Sequence, residues 1–253
     1  MTFNSTYFKL ISLLTIVLLM LFPSKATSQE FSVYVESGGV FFSNNDVRIP
    51  NEGGTKFDLL DLIGTDLNPY FRIGADVTFA ERHRIGLLFA PLSVTNTGIL
   101  PEDVFFEDRT FFAGIPTEGT YQFSNYRLSY QYLFFRDDRW DLGAGFTAFI
   151  RDAKVELSQN GGSARNTDLG FVPLINFYAN YNINDRFSVA LDGETLLGPQ
   201  GRATDAVITL RYKLNDNFSF QTGYRILEGG ADVDQVYNFA WLNFVLVGAR
   251  YNF

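Results

Sequence analysis

Along most of the chain hydrophobic and polar residues alternate one for one. In the stretch 218–226, Phe218, Phe220, Tyr224 and Ile226 fall on one side, and Ser219, Gln221, Gly223 and Arg225 on the other. The segment before it repeats the design, setting Ala206, Ile208, Leu210 and Tyr212 against Asp205, Thr209, Arg211 and Lys213. A period of two marks a strand with two unlike faces. It predicts ten strands, near 31–43, 69–79, 84–97, 119–135, 140–157, 169–183, 187–197, 203–213, 217–228 and 240–253. Tight polar turns join them at 80–83, 136–139, 184–186 and 215–217. Between these lie longer segments, 44–68, 98–118, 158–168, 198–202 and 229–239, rich in Gly, Asn, Asp and Pro as loops are. Short turns on one rim and longer loops on the other describe an all-β fold, an antiparallel up-and-down β-barrel with both termini on the short-turn rim.

Alternation alone does not say which face looks outward. The polar face decides. By phase, Glu36, Asp76, Asp141, Asp192, Glu194 and Asp205 share it with Arg72, Arg127, Arg151, Arg211, Arg225 and Arg250, and lysine is missing until Lys213 at a strand end. A water-facing surface would be dominated by Lys and Glu. Single acids matched by arginines suit a closed interior, where charges persist only when paired and hydrogen-bonded and the planar arginine fork pairs best. The opposite face is nearly free of charge. Phe79, Phe134, Trp140, Tyr181, Phe187, Tyr212, Phe218 and Tyr251 gather beside the short turns, and Tyr70, Phe71, Tyr224 and Trp241 nearer the long loops. Two aromatic girdles around an apolar band are expected where rings sit at lipid headgroups. The twelve charged residues are therefore expected to form a network within the lumen of a transmembrane barrel. Strands of ~9–11 residues suffice to cross.

Composition narrows the picture. Lys9, the apolar run Leu10 to Phe22, and Ala26-Thr27-Ser28 have the layout of a secretory signal peptide, giving a leader at 1–28 and a barrel domain at 29–253. The run is too short for the ~20 residues of a membrane helix. Residues 29–253 carry 18 basic against 28 acidic residues, net −10, which argues against a nucleic-acid partner. Cysteine is absent, which removes disulfides, thiolate metal sites and thiol nucleophiles.

The chain ends on Val245, Val247, Ala249, Tyr251 and Phe253 at alternate positions. A terminal Phe, a Tyr two before it and alternating apolar residues further back resemble the C-terminal signature of Gram-negative outer-membrane β-barrel proteins. The resemblance covers about nine residues. It implies an outer-membrane location, lipid and lipopolysaccharide as surroundings, a monomer, and Tyr251 and Phe253 as the residues read by the barrel-assembly machinery. The Phe-, Asn- and Asp-rich style also resembles outer-membrane barrels of Bacteroidota.

Some outer-membrane barrels are enzymes, among them the ten-stranded omptin proteases, and these enzymes place a histidine on the extracellular side. The single histidine, His83, lies in the turn Glu81-Arg82-His83-Arg84 on the short-turn rim, the wrong side for that role. Asp192 and Glu194 point to one face and could act as paired carboxylates, but pairing with arginines on neighbouring strands accounts for them. Asp232 and Asp234 lack the rest of a calcium loop. No catalytic residue, metal site or cofactor is assigned. The segment Val104-Phe-Phe-Glu-Asp-Arg-Thr-Phe-Phe112 places four phenylalanines in a long loop, which is expected to fold over or into the mouth, or to extend a hairpin above it. The expected role is structural or surface-interacting, with a lumen closed by the acid–arginine network. A narrow channel or hydrophobic-solute conduit is the alternative, and a barrel hydrolase a third.

Overall fold

The computed structural model describes residues 29–199 and 201–253; the leader assigned to 1–28 lies outside the described residues. The chain opens with β1 (Glu30–Arg48), the two-residue β2 (Phe57–Asp58) and one helical turn, α1 (Leu60–Ile63). β3 (Asn68–Phe79), β4 (His83–Ala90) and β5 (Ser93–Ile99) follow, then a small hairpin of β6 (Val104–Phe106) and β7 (Arg109–Phe111). Seven long strands complete it: β8 (Pro116–Arg136), β9 (Trp140–Gln159), β10 (Gly162–Asn182), β11 (Phe187–Gly198), β12 (Gly201–Lys213), β13 (Phe218–Val233) and β14 (Val236–Asn252). Barrel strands pair antiparallel with their sequence neighbours, and β14 returns to pair with β1. β4 and β5 lie end to end along β8 as one stave, interrupted at Pro91, which has no N–H for a ladder. The result is a closed antiparallel barrel of ten staves.

The closing seam explains the aromatic C-terminus. β14 pairs with β1 from Asn252 opposite Ser32 to Tyr237 opposite Arg48, and the Phe253 N–H donates to the Phe31 carbonyl at 2.9 Å. Rings continue the seam: Phe218–Tyr251, Tyr251–Phe253 and Phe31–Phe253 have centroids 4.9, 4.7 and 5.1 Å apart. Trp140–Tyr181 and Phe187–Tyr212 extend the girdle around the short-turn rim. Such pairs contribute about 0.5–1.5 kcal/mol each beyond area burial.

Outward positions carry large apolar side chains in the open: Phe146 is 69 % exposed, Phe171 67 % and Leu128 52 %. A continuous apolar belt far exceeds the patches a water-soluble monomer presents. Inward positions on the same strands are buried, as with Thr147 and Phe149 on β9.

Two sequence expectations need correction. The segments 158–168, 198–202 and 229–239 are mostly strand: β9 and β10 pair to Gln159 opposite Gly162, and β13 and β14 to Val233 opposite Val236. Above the apolar belt both faces of a hairpin meet polar surroundings, so alternation fades while the backbone ladder continues. Tyr70 belongs to the interior, because it shares the phase of Arg72, and its hydroxyl donates to Glu36 at 3.1 Å.

One stretch of wall is open. β10 pairs with β11 only from Ile175 opposite Thr195 to Asn182 opposite Ser188, so residues 162–174 of β10 have no β11 partner. Pro173 sits where the ladder would continue, and proline is confined to such strand edges.

Candidate functional site

Inside the barrel the described residues form two chemically distinct layers. The layer nearer the loop rim is apolar. Val40, Phe42, Leu157, Leu242, Phe244 and Leu246 point inward from the upper staves and are at most 3 % exposed. Onto them pack Phe57, Leu59, Leu62, Ile63, Val104, Phe106 and Phe111 from the two inserted segments. α1 can lie against β5 because Gly98 has no side chain; a Cβ there would stand 2.0 Å from the Asp61 carbonyl oxygen. The insertions are tied together by backbone bonds, Thr55 N–H to Phe105 at 2.9 Å and Glu107 N–H to Ile49 at 2.8 Å. Gln159 fastens the β6–β7 hairpin to β9: its amide oxygen accepts from Phe112 N–H at 3.0 Å and its amide nitrogen donates to the Phe112 carbonyl at 2.9 Å. The Phe-rich segment is thus a hairpin with Phe106 and Phe111 buried inward, while Phe105 and Phe112 stay exposed.

Below it lies the charged layer. Asp205 on β12 is its hub, 4 % exposed, with Arg127 and Arg225 each at 2.7 Å and Arg72 at 3.6 Å. Arg225 also reaches Glu36 at 3.1 Å, and Arg127 reaches Glu194 at 2.5 Å, whose other oxygen accepts from Thr147 at 2.8 Å. Arg72 stands 4.0 Å from Glu36. Three guanidiniums therefore meet three carboxylates, each of the six from a different stave, and the cluster is neutral. Gln131, Asn176 and Thr147 continue it as an amide–hydroxyl chain.

A second group sits nearer the short turns. Asp76 accepts from Arg250 at 2.8 Å and from Arg84 at 3.3 Å, and Arg250 also donates to Ser32. Arg211 reaches Asp192 at 3.4 Å and the Tyr178 hydroxyl at 3.0 Å.

Ten of the twelve residues singled out by phase therefore belong to these two groups. The other two do not. Asp141 pairs with Arg136 at 3.1 Å on the short-turn rim, and Arg151 pairs with Asp168 high on the β9–β10 hairpin. Arg84 was missed; it stands beside His83 in a charged turn, and its signal was the phase it shares with Gly86 and Leu88, which sets it opposite Thr78, two residues from Asp76 on β3. The inward apolar layer was also missed. Its signal was the run Trp241 to Val247, apolar on both phases, where a lipid-facing strand over a polar lumen needs only one.

Asp192 and Glu194 are each held by a different arginine, Arg211 and Arg127. His83 lies among Phe79, Tyr130 and Tyr132, its Nδ1 2.9 Å from the Tyr130 hydroxyl. Asp232 accepts from Asn51 at 2.7 Å. Among the described residues no group of three or more His, Asp or Glu side chains is arranged to hold a metal ion.

No protein-family model and no curated protein matches the chain. Solved structures do. The outer-membrane protease OmpT from Escherichia coli superposes with TM-score 0.52 at 9 % identity, covering 91 % of this chain and 100 % of that one. The transport unit of the autotransporter AIDA-I from Escherichia coli gives TM-score 0.46 at 10 % identity, covering 99 % and 98 %. Ail of Yersinia pestis gives 0.39 at 13 % identity, covering 89 % and 99 %. At these identities the likeness to OmpT concerns the fold alone, that of an outer-membrane β-barrel.

Proposed function

We propose that the chain is an integral outer-membrane barrel with a structural or surface-interaction role, its lumen closed by the loop-rim apolar layer stacked on a neutral acid–arginine cluster. One observation carries this reading. Phe57, Leu62, Ile63, Phe106 and Phe111, all from inserted segments, are at most 6 % exposed directly across the mouth, over Arg72, Arg127 and Arg225 already engaged by carboxylates. A permeating ion meets first an apolar seal and then charges whose counter-charges are in place. Barrels of this strand number have interiors that side chains can fill.

The apolar belt and girdle support residence in a bilayer, with the short turns toward the periplasm and the loop rim outside. Lipid and lipopolysaccharide then surround the belt, and the Tyr251–Phe253 seam is the segment offered to the assembly machinery. Ile99, Phe105 and Phe112, respectively 57, 37 and 53 % exposed on the loop rim, supply apolar contact points for a surface role.

Planar-bilayer recording tests the reading. The intact barrel is expected to give no steady single-channel current, and a variant lacking residues 102–113 to give one. Steady current through the intact barrel, abolished by Arg127→Gln, would establish the channel alternative instead.

A further inference from the structure

Charge is distributed unevenly between the two groups. In the hub around Asp205 the arginines and carboxylates balance. Nearer the short turns, Arg84, Arg211 and Arg250 face only Asp76 and Asp192, leaving one positive charge over. At the short-turn rim Glu30 and Asp141 both face Arg136, at 3.6 and 3.1 Å, so the carboxylate to spare lies out at the rim and not beside Arg84 and Arg211.

The excess centres on Arg211. A guanidinium carries five N–H donors; Arg211 spends two of them, on Tyr178 and on a long 3.4 Å contact to half-exposed Asp192, and its Nε is buried with no partner. Arg84 lies close by, its guanidinium carbon 5.2 Å from the Tyr178 ring centre that Arg211 approaches at 5.9 Å. Two cations therefore flank one tyrosine, and the carboxylate nearest both, Asp192, reaches Arg211 only at 3.4 Å. Like charges so placed repel unless an anion lies between.

There is room for one. A cavity of about 130 Å³ reaches from the hub down to this part of the lumen, and a second of about 150 Å³ opens at the short-turn rim. Asp76, Arg84, Arg211 and Arg250 line both, so the two meet at the arginines. With about 30 Å³ per water, the inner cavity holds a handful of waters or one small anion.

We propose that the lower lumen is a binding site for a compact oxyanion, phosphate or carboxylate, which enters from the short-turn side and is held between Arg84 and Arg211. Arginine forks match both anions bidentately. The site lies between the hub and the short-turn rim, and it requires only the closed barrel, independent of whether the loop-rim layer seals the mouth.

Calorimetric titration of the full barrel in detergent micelles tests it, with inorganic phosphate and acetate as separate probes at ionic strength fixed by sodium chloride. One probe is expected to bind saturably, one per barrel, and the probe that does identifies the anion class. Arg211→Gln is expected to weaken binding about tenfold, the loss of one hydrogen bond to a charged group. Asp192→Asn, which removes the competing carboxylate, is expected to tighten it by a similar factor, and this gain serves as the test if the arginine variant does not fold. Heat-modifiable gel migration checks closure of each variant. Absence of saturable heat with both probes, or equal affinity in the parent and Asp192→Asn barrels, would overturn the proposal.

Discussion

Replacing Asp205 by Asn changes one atom's chemistry and leaves the size of the side chain nearly intact. Asp205 is 4 % exposed and meets Arg127 and Arg225 at 2.7 Å and Arg72 at 3.6 Å. Without its charge, three buried guanidiniums face only Glu36 and Glu194, and the hub turns from neutral to singly positive. Removing one member of a buried ion pair costs about 3–5 kcal/mol, because the stranded charge stays desolvated. Urea unfolding of the barrel in lipid vesicles, followed by tryptophan fluorescence, is the assay. With a slope of about 1–3 kcal/mol per molar urea, the midpoint is expected to fall by at least about 1 M. Asp192→Asn is the control. Asp192 is 37 % exposed and its one ion pair is long at 3.4 Å, so its loss is expected to cost about 1 kcal/mol or less. The double variant Asp205→Asn with Arg225→Gln restores neutrality and is expected to be more stable than the sum of the two single changes allows, by about 0.5–3 kcal/mol. Equal midpoints for Asp205→Asn and Asp192→Asn, or strict additivity in the double variant, would refute the hub.

Three further outcomes are expected. Leu128→Arg places a charge on the apolar belt, where a midplane cation costs about 2–4 kcal/mol, and vesicle-based unfolding should register that loss; a neutral result would show that Leu128 does not face acyl chains. Phe106→Ala removes a ring that is 0 % exposed, at about 3–5 kcal/mol, and limited proteolysis should then cut within 98–118 faster than in the parent. Phe253→Ala takes one ring from the seam with Phe31 and Tyr251, so refolding yield into vesicles, read by gel shift, should fall while the midpoint moves by only about 1 kcal/mol.

Much of the fold was legible because a stave bounded by lipid on one side and charges on the other needs strict alternation. Leu210, Ile208 and Ala206 could be assigned to one face and Arg211, Thr209 and Asp205 to the other from spacing alone. The ladder stops reporting itself where that contrast ends. Residues 158–168 read as loop because a hairpin above the belt is polar on both sides, yet its backbone pairing runs on to the Asn160-Gly161 turn. Tyr70 shows the opposite limit. As an aromatic beside an apolar band it suggested a girdle, but phase places it inward with Arg72, where its hydroxyl serves Glu36.

The charged interior was legible as membership and not as pairing. Phase placed Arg127 and Glu194 on the inner face, but nothing local joins residues 67 positions apart; only closure of the cylinder brings them to 2.5 Å. Rim positions misled for a related reason. Asp141 and Arg151 have the inward phase, yet Asp141 sits at the start of β9 and Arg151 further along it toward the hairpin, where Arg136 and Asp168 reach them before the hub does. The apolar layer across the mouth depends on the inserted segments folding back, a tertiary event that the Phe-rich stretch hinted at without fixing its place.

The orientation of the staves is tested most directly on β9. The chain has no cysteine, so single cysteines at 144 to 150 can carry nitroxide labels without background, and collision with oxygen dissolved in the bilayer can be measured position by position. Labels at 144, 146, 148 and 150 are expected to collide strongly with oxygen, and those at 145, 147 and 149 weakly, in strict alternation. A flat profile, or one with the odd positions high, would contradict a barrel that turns its apolar face to lipid and keeps its arginines within.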